Sequence, residues 1–172
     1  MAPPGRLNYG TQPVARALPL LAGLLWFGVL YGIYIQWPQL AQWAIEDATV
    51  RPAAALLAWW DPGMQAQAEG ARLVVRDGAL RVLRGCEGTD LALLSASAML
   101  AAPLAWRWRL AGLAVMLAAV FVLNQARLLV LLQAHLNMPQ HFDQLHTLWL
   151  PLLMVLLLGG LLLSWVGRFA RP

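Results

Sequence analysis

Residues 110–132 read LAGLAVMLAAVFVLNQARLLVLL, and this stretch decides the fold. A helix of about 20 residues, rising 1.5 Å per residue, crosses the roughly 30 Å of bilayer hydrocarbon. No charge falls between Leu110 and Ala126, and Arg127 is the one ionisable group before Leu132. Working outward, residues 89–106 form a second, shorter apolar run that ends at Arg107-Trp108-Arg109, the aromatic and basic mixture of a membrane interface. Residues 145–166 form another, closed by Arg168 and Arg171, and residues 17–35 form a fourth after Arg6 and Arg16. The apolar core of this N-terminal run exceeds the ~7–15 residues of a signal peptide, and no small-x-small cleavage site follows Tyr34, so an uncleaved helix is expected.

Composition agrees. Of 172 residues, 60% are hydrophobic and 12% charged, whereas a soluble domain is about 45–50% apolar and about 25% charged. The single Cys excludes an internal disulfide and a thiolate zinc site, and no cofactor or metal is implied. All 12 basic residues are Arg, dispersed over separate loops with a net charge of +4. That is no nucleic-acid stripe; it is a topology signal. The expected fold is an all-α integral membrane protein of about four transmembrane helices in a lipid bilayer, with both termini on one side. Arg6, Arg16, Arg107, Arg109, Arg168 and Arg171 mark that side as cytoplasmic. Arg51, Arg72, Arg76, Arg81 and Arg84 on the opposite side weigh against this orientation. Six acids there balance their charge, but the rule counts Arg. Residues 1–16 then read as a cytoplasmic tail, with 1–11 disordered, and 17–172 as a single transmembrane domain whose segment 36–88 lies outside.

Segment 36–88 is not featureless. Between 40 and 60 the apolar residues are broken by Gln42, Glu46, Asp47, Thr49 and Arg51. Pro52 suits the first turn of a second short helix, and Trp43, Trp59 and Trp60 suggest helices lying in the interface. After the turn signal Asp61-Pro62-Gly63 come two β-prone runs within 72–84, joined by Asp77-Gly78, a strong hairpin signal. The second strand leads straight to Cys86.

Ionisable groups at or within spans are costly, so those that converge are functional candidates. Cys86 stands three residues before Thr89, at the outer start of the second span. Arg127 lies about 25 Å along its helix from Leu110, and His146 opens the last span from the same face. Three segments therefore deliver Cys, Arg and His to one depth. A thiolate is a strong nucleophile, favoured by the free amides of a helix start. Arg127 has donors for an oxyanion, and His146 can move the proton to a leaving amine. Together they suit acyl transfer on a peptide bond. Each also has a plainer use. Cys86 can be a small inert side chain and Arg127 a snorkelling arginine, with Asn124 one turn earlier helping to hold it. Asp143 either orients His146 or caps a helix, while His135 and His141 read as solvated or interfacial. Glu87 and Asp90 work against a thiolate unless Arg127 or Arg84 offsets them.

Gly85-Cys86-Glu87-Gly88 opening one membrane helix, Asn124-Gln-Ala-Arg127 in the next and Phe142-Asp143-Gln-Leu-His146 opening the one after resemble the exosortase/archaeosortase family. The resemblance runs from about Gly70 to the end of the last span. It implies a membrane cysteine transpeptidase with Cys86, Arg127 and His146 as its triad, although many members carry Ser where this chain has Glu87. It also implies partners: membrane-anchored proteins ending in a short motif, a transmembrane helix and a basic cluster, and an amine acceptor at the cell surface. The implied location is the bacterial inner membrane, with the active site facing outward. The rival reading is a non-enzymatic assembly factor that binds partner helices, with Cys86 structural. A transporter subunit is a third, disfavoured by so few ionisable groups within the spans.

Overall fold

The computed structural model describes residues 12–170, with side chains described from Leu18 to Ala170. The stretch 1–11 expected to be disordered, and Arg6 and Arg171, lie outside that range. Helix α1 (Gln12–Gln36) is followed by α2 (Pro38–Ile45), a wide π-helical turn over Glu46–Val50, and α3 (Arg51–Trp60). Strands β1 (Gln67–Glu69), β2 (Arg72–Val75) and β3 (Gly78–Arg81) form an antiparallel sheet in the order β1-β2-β3. Then come α4 (Thr89–Ala101), α5 (Trp106–Asn137), α6 (Pro139–Gln144), a second wide turn over Leu145–Trp149, and α7 (Leu150–Phe169).

Among the described residues, three stretches are long and apolar enough to cross a membrane: Leu18–Gln36, Trp106–Asn137 and Pro139–Phe169. The chain is thus an all-α membrane protein with a small sheet. The run expected over 89–106 is shorter than that expectation: α4 has 13 residues, a rise of only about 20 Å. It stops because Ala102 precedes Pro103, which drives Ala102 to an extended ψ of 142°. Arg109 then donates from Nε to Leu104 O and from Nη1 to Leu100 O, both at 3.0 Å. It thereby satisfies a carbonyl that the end of α4 leaves free.

Helix α4 runs antiparallel to α1 and to α5. Tyr34 meets Glu87 at one end, and a Cβ on Gly23 would touch Ala101 at the other. At the arginine end, Met99, Met116 and Leu158 form a core. There Trp108 stacks on Phe169 at 4.1 Å, and Trp165 Nε1 donates to Trp108 O at 3.1 Å. Gly112 makes the close approach possible, since a Cβ there would stand 2.6 Å from both Met99 Sδ and Trp165 Nε1.

At the Cys86 end a second core joins the sheet to α3 and α5. Leu73 and Leu80 face each other across β2 and β3, and with Val75 and Val82 they pack against Ala53, Leu57, Leu128 and Leu132. The hairpin differs from the expected one in two ways. Val75 pairs with Gly78, so the turn residues are Arg76-Asp77. Gly78 instead serves the packing, because a Cβ there would come within 3.1 Å of Leu136 Cδ2 on α5. The third strand, β1, pairs Glu69 with Arg72 across a turn in which Gly70 takes φ +56°.

Candidate active site

Gly85-Cys86-Glu87-Gly88 joins the sheet to α4. Cys86 N donates to Leu83 O at 2.9 Å, closing a turn. Gly85 at φ +88° and Gly88 at φ +80° occupy the left-handed region, where a Cβ costs roughly 1–2 kcal/mol. Gly88 is also short of space: a Cβ would lie 3.0 Å from Asn124 Cγ. The loop therefore rests directly on α5.

Two side chains, Asn124 and Tyr34, grip it at Glu87, and Thr49 packs alongside. Asn124 Nδ2 donates to Glu87 O at 3.0 Å. The Thr49 hydroxyl donates to Ala44 O at 2.8 Å and lies 3.4 Å from Glu87 O. Tyr34 donates its hydroxyl proton to Glu87 Oε1. The wide turn over Glu46–Val50 is what brings Thr49, fully buried, to the loop. Such turns frequently mark functional sites.

With the loop held, Cys86 Sγ lies 3.2 Å from His146 Nε2. His146 sits in the other wide turn, Leu145–Trp149, and its backbone carbonyl accepts from Arg127 Nη2 at 3.4 Å. Phe142 stacks on the His146 ring, with centroids 5.6 Å apart and planes 10° from parallel. His135 meets Phe142 edge-on at 5.7 Å. Arg127 is buried, its Nε has no partner, and among the described residues no carboxylate pairs with it. A buried guanidinium with one long hydrogen bond has donors to spare for an anion.

Cys86, Arg127 and His146 thus share one cleft, closed by Leu80, Arg81, Val82, Leu128, Leu131 and Phe142. Its volume of about 30 Å³ matches a single water, enough for a reacting carbonyl but not for a peptide. The arrangement has the parts of acyl transfer: a thiol, a nitrogen base within reach of it, and a cation with free donors.

Other sequence candidates fall differently. Asn124, expected to help hold Arg127, is buried and holds the Cys86 loop instead. Asp143 is exposed within α6; its backbone carbonyl accepts from Thr147, and no hydrogen bond joins its carboxylate to His146 among the described residues. It caps no helix start either, since α6 begins at Pro139. His135 and His141 are exposed and stand outside the cleft. Sequence reasoning missed Thr49, Tyr34 and the Phe142 stack. The i, i+4 spacing of Phe142 and His146 was the available signal for the last.

Compared with known proteins, residues 7–165 match a family model described as transmembrane exosortase. No curated protein and no solved structure matches the chain.

Proposed function

The chain belongs to the transmembrane exosortase family, and on that premise we propose that it is a membrane-embedded cysteine protease or transpeptidase whose nucleophile is Cys86. Membership itself gives a membrane transpeptidase or protease role in general, carried by a multi-pass membrane protein. The finer reading rests on one observation, the 3.2 Å contact of Cys86 Sγ with His146 Nε2 beside a buried Arg127 that has no acid partner among the described residues.

In the proposed reaction His146 Nε2 takes the thiol proton and the sulfur attacks a peptide carbonyl carbon. The carbonyl oxygen becomes an oxyanion, towards which the free donors of Arg127 turn. As the C–N bond breaks, His146 returns the proton to the leaving amine. The acyl group stays on sulfur as a thioester until water or an amine of a surface acceptor displaces it. Asn124 acts as a positioning residue, holding the Glu87 carbonyl one residue from the sulfur.

The small cleft requires the rest of the substrate to lie along the surface, and β3 offers a rail. Gly78 and Leu80 spend their backbone groups on β2 in this register, so those of Ala79 and Arg81 face the open edge. Leu80 and Arg81 also line the Cys86 cleft. An extended substrate added to that edge would run towards the sulfur, the strand-addition mode of peptide recognition. The substrate class we infer is an exported protein ending in a short motif, one transmembrane helix and a basic cluster, cut on the outer face of the bacterial inner membrane.

Co-expression with a tagged protein of that architecture from the same genome tests the proposal. Cys86→Ala is expected to insert normally and to leave the substrate uncut. Normal processing in that variant overturns the assignment. A membrane-impermeant thiol reagent should label Cys86 in intact cells; labelling only in inverted vesicles reverses the topology.

A further inference from the structure

A second cavity, much larger than the Cys86 cleft, lies apart from it. A groove of about 500 Å³ opens between α1, α2, α4 and α5 on the other side of the Glu87–Gly88 loop. Its walls are apolar, with Leu30, Ile33, Trp43, Leu93, Leu117 and Phe121 among them. Its floor is polar, formed by Glu87, Asn124 and Gln125, at 6%, 2% and 6% exposure. Each of these carries one oxygen without a hydrogen-bond partner: Glu87 Oε2, Asn124 Oδ1 and Gln125 Oε1. Their other polar groups are spent, since Tyr34 binds Glu87 Oε1, Asn124 Nδ2 binds Glu87 O, and Gln125 Nε2 binds Ala48 O at 3.3 Å. No cation pairs with Glu87 among the described residues. Buried acceptors left unmatched are costly, and three on one floor call for a donor from outside.

Depth decides what can supply it. Asn124 lies about 14 residues, or about 21 Å, along α5 from Leu110. With Leu110 at one boundary of a roughly 30 Å hydrocarbon layer, the floor sits about 9 Å below the other boundary. A lipid headgroup belongs at the boundary itself. A side chain on a membrane-spanning helix reaches any depth, and apolar walls suit the rest of such a helix.

We propose that this groove docks a transmembrane helix of a partner protein through one hydrogen-bond-donor side chain, amide or ammonium, carried about 9 Å inside the hydrocarbon boundary. An ammonium has donors for all three unpartnered oxygens of Glu87, Asn124 and Gln125 and an amide for two of them, and the apolar face of the helix covers Leu117 and Phe121. The site lies behind the Cys86 loop and requires no chemistry at the sulfur.

Binding of synthetic peptides by the full-length protein in phosphatidylcholine vesicles tests this. Three Leu/Ala transmembrane peptides carry Gln, Lys or Leu at the stated depth, with a short-range quencher beside it. The difference in quenching between the wild type and Trp43→Phe isolates the groove signal. The Gln and Lys peptides are expected to quench at about tenfold lower peptide-to-lipid ratio than the Leu peptide, the scale of one interhelical hydrogen bond. Gln125→Leu combined with Glu87→Gln should shrink that advantage. Leu117→Trp, on the groove rim and away from the floor, should raise the ratio needed even if the floor variant does not fold. Equal quenching by all three peptides overturns the proposal. So does quenching that phosphatidylethanolamine in the vesicles abolishes, which would make a lipid amine the occupant.

Discussion

Replacing Gly88 by Ala places two separable demands on the Cys86 loop. At φ +80° an alanine costs about 1–2 kcal/mol in left-handed conformation. Its Cβ would also stand 3.0 Å from Asn124 Cγ, and Asn124 is held in place by its hydrogen bond to Glu87 O. Overpacking of this kind costs about 1–3 kcal/mol, so Gly88→Ala should destabilise by about 2–5 kcal/mol. Asn124→Ala removes the nearest obstacles, Cγ and Oδ1, but deprives Glu87 O of its amide donor while the Thr49 hydroxyl donates to Ala44 O, at a cost of about 1–3 kcal/mol. In the double variant the dihedral cost remains and most of the steric cost is relieved, since only the Cβ at position 124 is left, 3.3 Å away. It should therefore be more stable than the sum of the two single effects implies, by about 1–3 kcal/mol. The assay is unfolding of the purified protein in mixed micelles, followed by helical circular dichroism, with the rate of Cys86 alkylation as a local reading of loop geometry. Additivity within about 0.5 kcal/mol would refute the seating of the loop on α5.

His146→Ala should abolish substrate processing, whereas His135→Ala and His141→Ala should leave it intact; loss in His141→Ala alone would move the base, as read by blotting for uncut substrate. Arg127→Met should lower the processing rate by about 10²–10³ at unchanged protein level, the loss expected for an oxyanion donor, and an unchanged rate would reduce Arg127 to a structural cation. Gly112→Ala, whose Cβ would meet Met99 and Trp165 at 2.6 Å, should cost about 1–3 kcal/mol in the micelle titration while leaving the Cys86 alkylation rate unchanged.

Much of this architecture is legible in the chain because membranes penalise charge. The uncharged runs marked α1, α5 and α7 to within a few residues of their observed ends, and Pro52 marked the start of α3. Where the signal was weak, the expectation drifted. In α4, the apolar run continues past Pro103, but the helix cannot. In β1, Gln67-Ala68-Glu69 is exposed throughout, so no alternation announces a strand. Asp77-Gly78 does look like a hairpin turn, yet Gly78 is small for the sake of Leu136, a contact between segments nearly 60 positions apart, which no local pattern encodes.

The candidate site was legible in its residue types and less so in its supports. Scarcity singled out Cys86, Arg127 and His146, and the structure brings all three to one cleft. Thr49 was hidden because it is neutral and lies in a segment read as interfacial; only the extra residue of the wide turn carries it inward. The same kind of turn sets His146, rather than the nearby His141, opposite the sulfur. Asn124 was read by helical spacing as a partner of Arg127, but its amide finds a better acceptor in a loop carbonyl that sequence separation conceals.

The most direct test of the central claim is mass analysis of the Cys86-containing peptide after turnover of a tagged substrate is rapidly quenched with acid. The thioester mechanism predicts a substrate fragment attached at Cys86, released by hydroxylamine and missing in Cys86→Ala. Processing that continues in Cys86→Ala, with no adduct at any time point, would contradict it.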